Sequence, residues 1–250
     1  MGHPQAAACA DEASHVMPDL SGIAGEQLEA MHDAAATVLT CERVLAKSGS
    51  SVVAEVLRNQ GDFLIWERYP RGDVQDGASH YFYHSHTPHE MMDGENGHFH
   101  LFVRPARVAP GLRPWQLSCA FVPDNEADRF VHIGAISVDA AGRPLRLFTT
   151  NRWVTNETLY RAQDVIGLLD HFEIELAHPN WAVNQWLNAM VTLYRPQFEA
   201  LLAQRDAALE AWAERHPDCE VLEDRRLQNT SEVRVDTNAQ IAAIEAALGL

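Results

Sequence analysis

The spacing of hydrophobic residues changes twice along the chain. Over residues 23–47, apolar positions recur every three or four residues, which predicts an amphipathic helix, and residues 52–59 predict a second, short one. Between residues 63 and 150, short apolar or alternating runs are separated by turn residues and predict strands. Helical spacing returns after residue 164. Strands in the middle with helices at both ends predict an α+β fold, a central, mostly antiparallel sheet or open barrel flanked by N- and C-terminal helices.

The predicted elements follow one another in hairpin order. The six predicted strands are residues 63–69, 80–86, 98–104, 115–122, 130–138 and 145–150. The predicted C-terminal helices are residues 165–172, 182–194, 196–215 and 238–248, and residues 216–236 are left unassigned. Residues 1–18 lack periodicity and predict a disordered tail. Residues 19–250 predict one domain, helical over 19–62, β-rich over 63–160 and helical over 161–250.

The charge balance narrows the classes of partner. The formal net charge is −16, from 19 Lys and Arg against 35 Asp and Glu, which argues against nucleic acid and anionic membranes as partners. The chain has no apolar run of membrane-spanning length, and its start lacks the pattern of a signal peptide, so we expect a cytoplasmic protein. The four cysteines are widely separated and form no CxxC pair. We expect reduced thiols, with Cys119 in the core.

Residues 80–104 hold six of the 13 histidines. Turn residues divide this stretch into two segments, which predicts two antiparallel strands. If their apolar sides coincide, the histidines in both halves project from one face, where cross-strand Cβ atoms lie about 4.5–5.5 Å apart. This arrangement predicts a mononuclear metal site, with a purely polar strand face as the alternative. The predicted ligands are His84, His86, His98 and His100, and imidazole suits iron, copper and zinc.

Other side chains are candidates for a supporting role. Glu90 and Glu95 could add an oxygen ligand from the loop between the two strands. His132 is a candidate for a fifth imidazole, for a partner of a ligand, or for an ordinary core histidine. Glu67 lies in a predicted buried strand, where a charge must be paired. It is therefore a candidate ligand, general base or orienting group, or else one half of an ion pair with Arg68.

A polar segment after the last predicted strand supplies candidates for substrate binding. Asn151 and Arg152 are predicted to hold an anionic substrate, because the planar guanidinium suits bidentate contacts. Tyr83, directly before the predicted ligand His84, is a third candidate for substrate contact. Glu67 and Arg152 are the predicted catalytic residues. Motifs for nucleophilic hydrolases and for nucleotide binding are absent from the sequence.

The spacing of the histidine stretch partly resembles the first metal motif of cupins. His84 and His86 are followed at matching distances by Glu90 and Gly97, with Gly77 upstream. The second cupin motif, with its third histidine, has no convincing copy in this chain.

A broader resemblance rests on four segments in combination. YFYHSH, GHFHLFVR, GRPLRLFTTNRWVT and PNWAVNQWLNAM resemble a bacterial family known only as a domain of unknown function. The resemblance covers roughly residues 63–235. It implies that the histidine hairpin and the TTNRW segment belong to one architecture, and it implies no activity.

These observations predict a metal-dependent enzyme, an oxidoreductase or oxygenase that acts on a small molecule with iron or copper, and zinc is the alternative metal. The alternatives are a non-catalytic metal-binding or haem-associated accessory protein, and an interaction domain that forms homodimers through its C-terminal helices. Because ligating imidazole must be neutral, free-histidine pKa values predict that metal binding weakens below about pH 6.

Overall fold

A computed structural model describes residues 20–118 and 122–250. The predicted tail and Cys119 lie outside these ranges. Two helices precede the sheet, and the remaining ones follow its first strands. The helices are α1 (Gly25–Lys47), α2 (Val52–Val56), α3 (Pro105–Val108), α4 (Arg152–Thr155), α5 (Ala162–Ile166), α6 (Trp181–Leu193), α7 (Arg195–Arg215) and α8 (Thr237–Leu248).

The sheet has six antiparallel strands, and each is hydrogen-bonded to the next in chain order. The strands are β1 (Tyr69–Asp76), β2 (Ser79–His84), β3 (Gly97–Val103), β4 (Val131–Val138), β5 (Pro144–Thr150) and β6 (Asn229–Arg234). The sheet is open, with β1 and β6 as its edges. The α+β fold with helices at both ends is therefore confirmed.

The prediction of a buried strand over residues 63–69 is wrong. Residues 63–68 are exposed and form no strand, and β1 begins only at the last residue of the predicted strand and continues to Asp76. Trp66 has a left-handed backbone (φ 71°), which interrupts an extended chain. Pro70 lies inside β1 because an edge strand tolerates a residue without an N–H donor.

The prediction of a strand over residues 115–122 is also wrong for residues 115–118 and 122, which the structure describes. Trp115 and Leu117 instead pack against a small separate cluster that includes Val221 and Leu222. The sixth strand is β6, which lies in the unassigned segment and within a region predicted to be helical. Its sequence, NTSEVR, is mostly polar and partly exposed, so it lacks the apolar alternation that marks a strand.

The C-terminal helices cover the apolar side of the sheet. The Tyr81 hydroxyl of β2 donates to Asn184 Oδ1 of α6 at 2.7 Å, and the Phe99 ring of β3 lies 5.9 Å from the ring of Trp186. Helix α1 packs on α6, and α7 packs on β4, β5 and β6. This side of the sheet is the main hydrophobic core, and the opposite side carries the histidines together with buried aromatic residues such as Phe82 and Phe148.

One of the predicted C-terminal helices needs adjustment. The predicted helix over residues 165–172 is α5 followed by a 3₁₀ turn at Leu169–His171. Helix α8 packs against α1 and buries Ile244 completely. Dimerisation through the C-terminal helices stays a prediction. Over the described residues, no helix is long and apolar enough to span a membrane.

Candidate metal centre

The histidine hairpin forms as predicted. In the antiparallel pair of β2 and β3, His84 is directly opposite His98 and Phe82 is opposite His100. His86 lies two residues beyond the end of β2 and keeps the same side. The imidazole rings of His84, His86, His98 and His100 lie 4.6–5.2 Å from one another in five of their pairings.

Three of these histidines converge through their Nε2 atoms. The Nε2 atoms of His84 and His98 are 2.7 Å apart, and those of His84 and His86 are 3.2 Å apart. One ligand nitrogen from each residue lies within 4.8 Å of the other two, so the three could hold a single ion. Tetrahedral zinc with zinc–imidazole bonds of about 2.0–2.1 Å holds its ligand nitrogens about 3.3 Å apart. His84, His86 and His98 are called the histidine cluster below.

A glycine at the start of β3 permits this convergence. A Cβ atom at Gly97 would lie 2.5 Å from the backbone oxygen of His84 and 2.5 Å from the hydroxyl of Tyr83. Any side chain here would therefore push the two strands apart at the cluster. The Ser85 hydroxyl further fixes the turn by donating to the Asn96 carbonyl at 2.6 Å.

Glu95 orients His98. Its side chain is fully buried, and its Oε1 lies 2.8 Å from His98 Nδ1. A carboxylate at this nitrogen favours the tautomer with Nδ1 protonated, which leaves Nε2 free to bind a metal. Arg146 Nη2 also donates to Glu95, at 3.1 Å. Burial acts to raise the pKa of Glu95, but His98 and Arg146 together hold it below its usual value.

Glu90, the other carboxylate predicted as a ligand, is placed differently. It is exposed, and its side chain accepts from the backbone N–H and the hydroxyl of Thr87. It lines the cavity beside the cluster without joining the converging nitrogens.

A β-bulge brings His132 to the histidine side of the sheet. His100 is opposite Ala135, but a register shift places Phe102 opposite His132 instead of Ile133. Gly134, at the shift, has a φ of 147°. The extra residue re-aims the following side chains. As a result, His132 Nε2 lies 3.0 Å from His100 Nδ1, so His132 is a partner of His100 and not a member of the converging cluster.

Burial keeps these imidazoles neutral. Desolvation lowers the pKa of His84 to about 2, with neighbouring charges adding to the effect, and lowers that of His132 to about 3. The pKa values of His86, His98 and His100 are lowered for the same main reason. Neutral imidazole is the form that binds metal. Protons therefore compete with a metal for the folded site at a lower pH than the value of about 6 that was predicted from free histidine.

A cavity of about 30 Å³ lies beside the cluster. It is lined by His86, Glu90, Glu95, His98, His100, Arg146, Phe148, Thr150, Val154, Gln228 and Asn229. Three buried polar atoms of this lining have no hydrogen-bond partner among the described residues: His86 Nδ1, Arg146 Nε and Thr150 Oγ1. Buried polar atoms normally have partners, so this cavity suits a polar ligand.

Two of the predicted site residues lie away from the cavity. Glu67 is exposed, so the argument from a buried charge is wrong, and Arg68 pairs with Asp73 instead. Tyr83 points to the apolar side of the sheet and donates to Asn96 Oδ1 at 2.6 Å. Neither residue lines the cavity.

Asn151 and Arg152 are engaged in holding the fold. Asn151 Oδ1 accepts from the Arg152 N–H at the start of α4, and its Nδ2 donates to the carbonyls of Val221 and Leu227. The Arg152 guanidinium pairs with Glu223. These contacts occupy both side chains away from the cluster. Their roles in substrate binding and catalysis stay predictions without a supporting contact.

Sequence reasoning missed Arg146, Phe148 and Thr150. They alternate along β5 and therefore share one face, and Arg146 and His98 are both opposite Ser137 of β4. The alternation was visible in PLRLFTT, but it did not indicate which face would meet the histidines.

The chain belongs to a family described as a domain of unknown function, DUF6969, whose model matches residues 32–235. This match confirms the resemblance to an uncharacterised family. No curated protein and no solved structure matches the chain. Cupins are double-sheet jelly rolls, whereas this sheet is a single open meander, so the partial cupin resemblance does not extend to the fold.

Proposed function

We propose that this protein is a metal-dependent enzyme, an oxidoreductase or oxygenase that acts on a small molecule at the histidine cluster. The observation that supports it most directly is the convergence of three Nε2 atoms from His84, His86 and His98. A mononuclear site with three protein ligands leaves coordination positions for a substrate.

The residues fit a metal better than they fit a polar strand face. Neutral imidazoles whose nitrogens approach to 2.7 Å share only one hydrogen between each pair, whereas one cation would satisfy all three nitrogens. The buried carboxylate of Glu95 behind His98 supplies the orienting group that ligating histidines normally have. Electron density donated by that carboxylate strengthens the ligand.

Iron or copper is our first choice of metal, with zinc as the third. The described cluster contains imidazole and no thiolate, and imidazole suits all three metals. Aromatic rings surround the cluster, with Phe148 5.1 Å from His98 and Phe82 5.6 Å from His84. Such surroundings exclude water and favour electron transfer or oxygen chemistry over hydrolysis. When bound, iron or copper would supply the redox chemistry.

A non-catalytic metal-binding or haem-associated protein is the second candidate. The cavity of about 30 Å³ favours it, because so little space admits only a small part of a substrate.

Metal loading and turnover distinguish the two candidates. Metal-free protein is loaded separately with iron(II), copper and zinc, and oxygen consumption is followed with a panel of small reductants and apolar alcohols, amines and aldehydes. Turnover with iron or copper that is lost in His98→Ala and kept in His171→Ala supports the enzyme, because His171 is an exposed histidine outside the cluster. Tight stoichiometric metal without turnover favours the second candidate, and failure to bind any of the metals contradicts both.

A further inference from the structure

Four consecutive apolar residues are exposed beside the histidine cluster. Phe63, Leu64, Ile65 and Trp66 have exposed fractions of 42%, 50%, 43% and 54%. Single exposed apolar side chains are common, but a contiguous group marks a binding surface or an aggregation risk. Residues 63–66 are called the apolar segment below.

The apolar segment is held in place by specific contacts. The backbone N–H of Trp66 donates to the carbonyl of Ser85 at 2.9 Å, between two histidines of the cluster. The backbone N–H of Leu64 donates to the hydroxyl of Tyr69 at 2.8 Å. Trp66 adopts a φ of 71°, a costly conformation for a bulky residue that usually persists where function requires it.

The same contacts join this surface to the candidate metal centre. The Trp66 indole packs on the His86 imidazole with a centroid distance of 4.3 Å. His86 is both a member of the cluster and part of the cavity lining. A molecule that reaches the cluster past His86 therefore meets an ordered apolar surface directly outside it.

The cavity and the apolar segment suit different parts of one molecule. The cavity of about 30 Å³ has room for a few non-hydrogen atoms, and its unpartnered Arg146 Nε and Thr150 Oγ1 suit an oxygen-bearing group. Most of a substrate must stay outside, where the exposed side chains are apolar.

We infer that the ligand of this centre is an amphipathic small molecule, with an oxygen-bearing head group in the cavity and an apolar body on the apolar segment. This inference rests on the proposed function. Covering the apolar segment removes its side chains from water, and this burial contributes binding free energy in proportion to the apolar area covered.

A series of straight-chain alkyl hydroxamic acids tests the inference, because the head group binds metals and the chain length is variable. Their dissociation constants are measured by calorimetry on protein loaded with the metal that it retains. We expect affinity to increase about two- to fourfold for each added methylene group. In the double variant Leu64→Ser, Ile65→Ser, the gain per methylene should disappear while the affinity for acetohydroxamic acid stays unchanged.

The control is the double variant Leu39→Ser, Val44→Ser, which removes two similarly exposed apolar side chains from α1, with exposures of 42% and 47%. It should keep the full dependence on chain length. Affinity that is independent of chain length in the unmodified protein overturns the inference and leaves the metal centre intact. If sedimentation shows that the unmodified protein is a dimer and that the Leu64→Ser, Ile65→Ser variant is a monomer, the apolar segment binds a second copy of the chain. That result overturns the inference. Acetohydroxamic acid that fails to bind contradicts the proposed function and the inference together.

Discussion

The two faces of the sheet are built from the same strands but by different rules. On one face, Tyr81, Phe99 and Leu101 pack against helices and need only the right size and apolarity. On the other, His84 and His98 must meet within a few tenths of an ångström for their nitrogens to share an ion. The apolar face therefore determines stability, whereas the histidine face adds buried polar groups that reduce stability unless a ligand satisfies them.

Trp186→Ala in α6 should give the largest difference between the effect on stability and the effect on metal binding. Trp186 is completely buried against the apolar face, and its Nε1 donates to Glu42 at 3.0 Å. Its loss leaves a large cavity and an unpaired carboxylate, so we expect the free energy of unfolding in urea to fall by about 3–5 kcal/mol. Metal bound per folded molecule should stay unchanged. Loss of metal without loss of stability would contradict the division between the faces.

Glu95→Gln, on the histidine face, should instead weaken metal binding. The amide keeps the size of the side chain but weakens its hold on His98 Nδ1, so metal affinity should fall about tenfold to a hundredfold. Glu90→Gln is the matched control, because Glu90 is exposed and contacts only Thr87 among the described hydrogen bonds. Competition with a chelator measures both constants. A greater loss in Glu90→Gln than in Glu95→Gln would make Glu90 the ligand.

The third effect, the smallest when counted per pH unit, concerns the acid sensitivity of the metal-free protein. Burial lowers the pKa of His80 in the folded protein to about 3, with Arg104 and Arg68 adding to the effect. Below about pH 6.5 the unfolded chain binds a proton at this residue and the folded chain does not, so stability decreases as pH falls from 6.5 towards 3. His80→Phe should remove one proton from the difference in proton binding between the unfolded and folded chains, which reduces the slope by about 1.4 kcal/mol per pH unit.

His80 suits this substitution because its ring stacks on Phe102 and its Nδ1 has no partner among the described residues. Urea unfolding at several pH values between 4 and 7 gives the slope. An identical slope in both proteins would mean that His80 is protonated in the folded state.

Local patterns predicted the part of the site that lies within one hairpin. The alternation in YFYHSH and GHFHLF, with turn residues between, was enough to predict that the histidines of both strands share one face, and in the structure His84 lies directly opposite His98. The position of His132 was not predictable in the same way, because the bulge at Gly134 changes the side to which it points. The role of Glu95 also depended on tertiary contacts, since only the folded loop buries its carboxylate against Arg146.

The errors in the fold have a common physical cause. The run FLIWERY is apolar enough for a buried strand, yet its residues 63–68 are exposed next to the cluster, where the apolar segment contacts His86. The strand β6 is polar because it is an edge strand and pairs with β5 across more than 70 residues of sequence. Neither feature follows from local periodicity, which reports the burial of a face and not the pairing of distant segments.

Metal content tests the central claim most directly. Untagged protein, purified without chelator or added metal, is analysed for iron, copper and zinc beside His84→Ala, His98→Ala and the control His171→Ala. We predict about one metal ion per chain in the unmodified protein and in His171→Ala, and loss of that ion in both cluster variants while they remain folded. No metal in the unmodified protein, or an undiminished metal content in His98→Ala, would contradict the metal centre.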